Sequence, residues 1–409
     1  MNKTQGKIAK YLKTEGKMKG KIFLFFSLVL SLSLILSAQV WDEPKVLSMD
    51  WETGEIAYYS DNSTYMVWAT ERNGIKIAFI KSNDGGTTWS EIKELGHPHF
   101  FSGDPDIAVD SNNNIYIVYK WSFEWRVAEE LFFIKSTNGG EDWTEPIQIT
   151  FSPYCTAMPS ILIGANDVIH VIWNEVIFGT AEPYESIGVF HISSDDGGET
   201  WSAPAQIENA SQKQDALIDS DDNIYVFGGS TSGTNEIYCF KSEDGGENWT
   251  HTYVEHYLFS PAATVDRNDT LHLVSDNYCD TLYYQCSLDR GETWSKPRGI
   301  AFLTGIEDWP YNPRFMKDIA VDNNNNIIVA YQNVCGENYE IYYIRSPNRG
   351  RTWIRELKLT NTLGHSLNPK LFIDLNYFIH LLWNENPEGI FDPSFNYIRG
   401  FLRGKRKIE

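Results

Sequence analysis

The sequence of 409 residues predicts an all-β fold, a β-propeller built from four-stranded antiparallel blades. Three observations predict it: one octapeptide recurs six times, a β-hairpin pattern recurs seven times, and no stretch carries the apolar period of an amphipathic helix. Repetition at this spacing is typical of a fold made of equivalent units. The length therefore does not require two or three separate domains.

The octapeptide, called the box from here on, runs from Ser through Asp or Asn and Gly to Trp. Its copies are SNDGGTTW, STNGGEDW, SDDGGETW, SEDGGENW, SLDRGETW and SPNRGRTW. The Asp or Asn side chain can cap backbone N–H groups, Gly permits positive φ, and Trp supplies an apolar plug, as a tight turn between strands requires. We therefore assign a structural role to Asp84, Asn138, Asp196, Asp244, Asp289 and Asn348, and to Trp89, Trp143, Trp201, Trp249, Trp294 and Trp353.

A second pattern lies upstream of each box: an apolar strand, a turn rich in Asp and Asn, and an alternating strand. IAVDSNNNIYIVYK and ILIGANDVIHVIWN are two examples. A third strand leads into each box and a fourth follows its Trp, so that each unit has four strands. The acidic hairpin turns could suggest calcium, but they lack the ligand spacing of an EF-hand loop, and we predict no metal site.

The number of blades follows from the repeat spacing and from the two ends of the chain. Successive box tryptophans lie about 53 residues apart, and residues 39–409 shared among seven units give the same figure. Residues 41–48 copy a fourth strand, whereas the seventh repeat has a third strand near residues 395–402 and no fourth. We predict seven blades with the N-terminal strand completing the last one, which removes an exposed sheet edge; six blades with a loose terminal hairpin is the alternative.

The N-terminus has the pattern of an export signal. Seven lysines precede an apolar run from Ile22 to Leu36 that only Ser interrupts, and Ser37-Ala38 supplies small residues for cleavage. We predict a signal peptide over residues 1–38, whose true start could be Met18, a single propeller domain over 39–402 and a basic tail over 403–409. The run of about 15 residues is short for a membrane anchor, the alternative interpretation. The expected location is outside the cell, in the periplasm or on the cell surface.

Charge and cysteine content exclude several classes of function. The whole chain has a net charge of −21, and removal of residues 1–38 leaves −27. Such a surface repels phosphate backbones and anionic lipid, so we expect no nucleic-acid partner. We also expect no membrane span after the signal is cleaved. The five cysteines show no CxxC and no metal-ligand spacing, so we expect no cofactor. We also expect a monomer.

The boxes resemble the Asp-box, or BNR, repeats of the sialidase superfamily, and the resemblance covers nearly all of the exported chain. It implies a propeller but says little about chemistry, because similar boxes occur in sialidases, other glycoside hydrolases, sortilin-like receptors and assembly factors. In such propellers the boxes and hairpin turns lie on one face. Ligands are therefore expected on the opposite face, here called the mouth, where loops enter first strands and leave second strands.

Alignment of the second strands shows where packing residues give way to polar ones. The last columns place amides, carboxylates and a lysine where these strands reach the mouth, and Trp-Asn-Glu occurs twice. Such groups beside aromatic rings suit a sugar, although a solvated rim is the simpler interpretation. The predicted ligand-binding residues are Lys120, Trp121, Asn174, Glu175, Asp276, Gln332, Asn384 and Glu385, with Trp309 and Arg314 from a loop that enters a first strand.

Three functions remain open: sialidase, another glycoside hydrolase, and a binding module for a glycan or an extracellular protein. Sialidases hold the sugar carboxylate with three arginines, one of them in Arg-Ile-Pro; this chain lacks that motif, and only Arg314 just precedes a first strand. A different hydrolase would need two carboxylates across the mouth. The catalytic candidates are Glu175, Glu385, Asp276, Asp104 and Asp106. We favour the binding module, because a rigid propeller face needs no catalytic set.

Overall fold

The computed structural model describes residues 40–48, 54–58, 62–70, 76–96, 101–122, 129–177, 185–230, 236–256, 258–277, 280–304, 316–386 and 394–401. The chain divides into two compact units, residues 43–399 and a small unit of residues 1–42 and 400–409. In the described part of the small unit, β1 (Val40–Trp41) pairs antiparallel with Gly400 and Phe401. Within the described ranges, no helix is long and apolar enough to cross a membrane.

The larger unit consists of seven antiparallel sheets, and six of them are each built from four strands that follow one another in the chain. Blade 1 comprises β3 (Gly54–Tyr58), β4 (Thr64–Thr70), β5 (Lys76–Ser82) and β6 (Lys93–Leu95); blade 2 comprises β7 (Phe101–Val109), β8 (Ile115–Ser122), β9 (Glu130–Ser136) and β10 (Ile147–Gln148); blade 3 comprises β11 (Cys155–Ile163), β12 (Ile169–Ile177), β13 (Glu185–Ser194) and β14 (Ala205–Gln206).

The remaining blades repeat this order. Blade 4 comprises β15 (Ala210–Ile218), β16 (Ile224–Ser230), β17 (Glu236–Ser242) and β18 (Thr250–His256); blade 5 comprises β19 (Phe259–Val265), β20 (Leu271–Asp276), β21 (Thr281–Ser287) and β22 (Arg298–Phe302); blade 6 comprises β23 (Lys317–Val321), β24 (Ile327–Cys335), β25 (Asn338–Ser346) and β26 (Ile354–Lys358); blade 7 comprises β27 (His365–Ile373), β28 (Phe378–Asn386), β29 (Ser394–Phe401) and β2 (Lys45–Ser48).

The seven blades close into a ring. The first strands of successive blades contact one another in the cycle β3, β7, β11, β15, β19, β23, β27 and back to β3, which places them innermost. In blade 7 the fourth strand comes from the other end of the chain, with Lys45 opposite Tyr397 and Ser48 opposite Phe395. The prediction of seven blades completed by the N-terminal strand is confirmed, and the six-blade alternative is wrong.

The core lies between blades, and the box tryptophans extend it. Each box Trp meets an aromatic ring of the preceding blade edge to face: the ring centroids of Trp143 and Phe79 are 5.0 Å apart at 74°, and those of Trp89 and Tyr397 are 5.2 Å apart at 84°. The second of these contacts joins blade 1 to blade 7. Aromatic pairs prefer this geometry because the ring edge is positive and the face negative.

The first box shows why its polar residues are needed. The Asp84 carboxylate accepts from the Ser82 hydroxyl at 2.8 Å, from the Thr88 N–H at 2.8 Å and from the Thr88 hydroxyl at 2.7 Å. Gly85 and Gly86 have φ of 65° and 81°, the left-handed region that favours glycine. These bonds hold the pKa of Asp84 at about 2 despite the opposing effect of burial.

Candidate functional site

The antiparallel order separates the two faces of the ring. Hairpin turns join first to second strands, and boxes join third to fourth strands, so both lie at one end of every blade. Second strands end, and first strands begin, at the mouth. Among the predicted site residues, Trp309 and Arg314 lie outside the described residues, and the other candidates lie on first or second strands.

Blade 2 brings together one lysine and two carboxylates at the mouth. The Lys120 Nζ lies 3.1 Å from the Asp104 Oδ2 and 3.8 Å from the Glu129 Oε2. Trp121 follows Lys120 but faces the other way: its ring packs edge to face on Phe132, with centroids 5.1 Å apart, in the core between blades 1 and 2. The role of Trp121 in ligand binding stays a prediction, and the burial of its ring between the blades argues against that role.

Two of the three predicted amide ligands, Asn174 and Gln332, connect neighbouring blades. Asn174 donates to the carbonyl of Lys213 at 3.0 Å and accepts from its N–H at 2.7 Å, so that its side chain pairs with the first strand of blade 4. Gln332 accepts from the N–H of Asn368 at 3.2 Å in the same way between blades 6 and 7. Asn384, the counterpart of Asn174, is also buried. These amides fix the ring at its mouth.

Asp276 is one of the catalytic candidates, and its carboxylate forms a buried ion pair. It pairs with the Lys317 ammonium of blade 6, and both side chains are almost completely inaccessible. Burial lowers the pKa of Lys317, while the Asp276 charge opposes that shift. Removal of either partner would leave an uncompensated buried charge, so this pair is suited to joining blades rather than contacting a ligand.

Glu175 and Glu385 lie near the ends of their second strands in equivalent Trp-Asn-Glu segments, in blades 3 and 7. Burial raises the pKa of Glu175, whereas bonding to Ser152 and Trp173 opposes the shift. Glu385 accepts from the Ser366 hydroxyl at 2.9 Å and from the Trp383 indole at 3.3 Å. Each carboxylate is held at its own blade boundary, and the structure does not bring the two together.

Asp106 belongs to the axis of the ring rather than to the mouth. Its carboxyl group accepts from the N–H of Ile107 at 2.8 Å and from that of Ile161 in blade 3 at 2.9 Å. Burial raises the pKa of Asp106 to about 7, and the neighbouring Glu55 charge adds to the shift.

The equivalent position of each first strand faces the same axis. Asp215 and Asp318 make the same pair of backbone bonds, to blades 5 and 7 respectively. The Lys370 ammonium pairs with Glu55 at 2.5 Å. Sequence reasoning missed this column, although DIAV, DALI and DIAV at the starts of these strands signal it. Its seven members are Glu55, Asp106, Ser160, Asp215, Ala262, Asp318 and Lys370.

A further feature of the mouth escaped the sequence reading. Four non-glycine residues have φ between 45° and 55°, each two positions before a member of the axial column and directly before a proline. Each lies at a bulge of its first strand, where strain of this kind marks a constrained position. They are Asp104, Met158, Ser260 and Asn368. Among the described residues, no group of three or more His, Cys, Asp and Glu side chains could hold a metal ion.

Comparison with known proteins agrees with this architecture. No family model matches the chain. A sialidase of Bacteroides fragilis (strain YCH46) is 23% identical over 291 residues, which is 60% of this chain and 52% of that protein. The chain thus spans about half the length of the curated relative it matches.

Solved structures supply the fold comparison. A Dyadobacter fermentans protein of unknown function superposes with a TM-score of 0.53 at 15% identity, covering 74% of this chain and 95% of the other. The chain is a seven-bladed β-propeller that is similar to those of the sialidase superfamily. The Trypanosoma rangeli sialidase in complex with sialic acid gives a TM-score of 0.50 at 12% identity, covering 85% of this chain and 58% of the other. Both structural likenesses concern the fold alone.

Proposed function

We propose that this propeller is an exported glycan-binding module whose ligand lies on the mouth. One observation carries the proposal: the carboxylates predicted at the mouth are held by partners within the protein. Lys120 pairs with Asp104, and Ser366 donates to Glu385. Carboxylates that are held in this way can bind the hydroxyl groups of a sugar without reorganisation. A catalytic acid or base, in contrast, must exchange protons with its substrate.

The electrostatics of the described mouth argue against a carboxylated sugar. Lys120, Lys317 and Lys358 lie near second-strand ends or their neighbours, and each faces a carboxylate of the protein within about 4 Å. A sugar acid would compete with these internal partners on a protein of high negative charge. We therefore propose that the ligand is a neutral or amine-bearing glycan rather than sialic acid.

Glycoside hydrolysis is the second candidate, and one observation favours it. Glu130 lies close enough to Glu175 for its charge to be felt, and burial raises the pKa of both carboxyl groups. Glycosidases use two nearby carboxyl groups, one of which has a raised pKa and acts as the acid.

The conservative substitutions Glu175→Gln and Glu385→Gln distinguish the two candidates. Each keeps shape and hydrogen bonding while removing the charge, so a binding module should change its affinity only modestly and should show no turnover to lose. A hydrolase that uses either residue should lose turnover by orders of magnitude and keep its affinity. The measurements are glycan-array binding, calorimetry and product analysis on the full exported chain.

Three results would count against the binding module. Turnover of an oligosaccharide by the unaltered protein, abolished by Glu175→Gln, would establish the hydrolase. Unchanged affinity and activity in both variants would refute this choice of site. Failure to bind any glycan would refute the proposed ligand class.

A further inference from the structure

Two boundaries between blades are built from the same residues. Glu130, Thr150 and Glu175 at the boundary of blades 2 and 3 recur as Glu340, Thr360 and Glu385 at the boundary of blades 6 and 7. Each counterpart lies 210 positions later, with no insertion or deletion between them. This uniform offset makes the second boundary an internal control for the first.

The hydrogen bonds at the two boundaries are also the same. Glu130 accepts from the Thr150 hydroxyl at 2.5 Å and from the Ser152 N–H at 2.8 Å. At the other boundary, Glu340 accepts from the Thr360 hydroxyl at 2.5 Å and from the Thr362 N–H at 3.1 Å. The shared groups therefore serve the joining of blades, and any difference in function must come from residues that the two boundaries do not share.

Two exposed aromatic rings and an exposed methionine make that difference. Phe151 is 80% exposed, Met158 44% and Tyr154 37%, although apolar burial normally stabilises a fold. All three lie on the segment that enters blade 3 at the mouth. Their counterparts 210 positions later are Asn361, Asn368 and Gly364, which are polar or lack a side chain.

The segment that carries these three side chains is bonded to polar groups of the boundary. Tyr154 follows Ser152, whose backbone N–H binds Glu130, and the sulfur of Met158 lies 3.7 Å from the Asn174 amide. Glu175 follows Asn174 on the same strand. A segment with two exposed aromatic rings, bonded through its backbone to a carboxylate, offers both kinds of contact that a pyranose ring uses, apolar stacking and hydrogen bonds to hydroxyl groups.

The charge at this boundary restricts the sugar further. Among the described residues, the carboxylates here are Asp104, Glu129, Glu130 and Glu175, and the ammonium groups are those of Lys120 and of Lys213, which bonds Ser160. The excess of acid repels uronic acids, sialic acid and sulfated sugars, whereas hydroxyl groups can donate to the carboxylates.

We propose that the boundary of blades 2 and 3 is the glycan subsite of this protein, that it takes a pyranose without acidic groups, and that Phe151 and Tyr154 are its stacking platform. This inference rests on the proposed glycan-binding function and names its site and ligand class. The boundary of blades 6 and 7 keeps the scaffold and lacks the platform.

The test uses the full exported chain with Phe151→Ala and Tyr154→Ala as variants. Asn361→Ala, at the counterpart of Phe151, and Leu363→Ala, which removes another exposed apolar side chain, are the matched controls. The probes are neutral hexasaccharides of glucose, mannose, xylose and N-acetylglucosamine, with oligogalacturonate and sialyllactose as the carboxylated set. We expect each platform variant to bind its neutral glycan at least about tenfold more weakly and both controls to stay within about twofold.

All four substitutions are at exposed positions or their counterparts, and equal thermal unfolding midpoints would show that folding is retained. Glycan binding that survives Phe151→Ala and Tyr154→Ala, or that falls equally in the controls, would overturn the subsite while leaving the binding module intact. Preference for the carboxylated probes would overturn the ligand class. Binding of no glycan would overturn the inference together with the proposed function.

Discussion

At the scale of single residues, two buried histidines of blade 3 show how one position in a repeat acquires a different dependence on pH. His170 and His191 replace the Tyr116 and Phe133 of blade 2, and the ring nitrogens Nδ1 of His170 and Nε2 of His191 lie 3.1 Å apart. Their rings stack as the Tyr116 and Phe133 rings do. Both side chains are buried.

Burial lowers the pKa of His170 to about 4 and that of His191 to about 3. The unfolded chain binds protons at its histidines near pH 6.5 and the folded chain does not, so stability is complete above that pH and is lost as the pH falls towards 4. We expect the free energy of unfolding to decrease more between pH 7.5 and 5 in the unaltered protein than in the His170→Phe/His191→Phe double variant. Urea unfolding at both pH values measures this difference, and equal decreases in the two proteins would contradict it.

At the scale of secondary-structure elements, the box turn joins blades through its tryptophan. Trp143 contacts Phe79 of the preceding blade and donates its indole N–H to the Gly140 carbonyl at 3.1 Å. We expect Trp143→Ala to cost about 3 kcal/mol, since it removes a large, partly buried aromatic ring from the interface. Chemical unfolding of the variant measures the loss.

Leu288 provides the matched control, because it lies in another box turn and is 82% exposed. Leu288→Ala should leave stability within about 0.5 kcal/mol of the unaltered protein. The same variants test the functional assignment of the two faces. Loss of glycan binding in correctly folded Trp143→Ala would show that the box face takes part in recognition.

How far sequence predicts structure also depends on scale. The box turns and hairpins are predictable because their residues interact within a few positions, as Ser82, Asp84 and Thr88 do. The mouth is less predictable, because its groups find partners in other blades: Asp276 pairs with Lys317, and Asn174 with the backbone of Lys213. A column of polar residues in an alignment cannot reveal which members the neighbouring blade neutralises.

At the scale of the whole molecule, closure of the ring is a further property that local sequence patterns could predict. The strand β2 is absent from the seventh repeat but present at the start of the chain, where Leu47 packs against the core between blades 7 and 1. The Lys45 ammonium adds a bond to the Thr87 carbonyl of blade 1 at 2.5 Å. Without β2, the strand β29 would expose unpaired backbone groups along one edge, and such edges pair with other chains.

Comparison of chains that begin at residue 39 and at residue 49 tests this contribution together with that of β1. We expect the shorter chain to unfold at a lower temperature and to associate through the exposed edge of β29, because both the backbone pairing and the burial of Leu47 are lost. Thermal unfolding with size-exclusion chromatography measures both effects, and Val46→Ala, at an exposed position of the same strand, serves as the control with an unchanged midpoint. If the shorter chain keeps the midpoint and the monomeric state of the longer one, β2 does not close the ring in solution. If the shorter chain unfolds at a lower temperature and also associates, the stability of all seven blades depends on the pairing between the two ends of the chain.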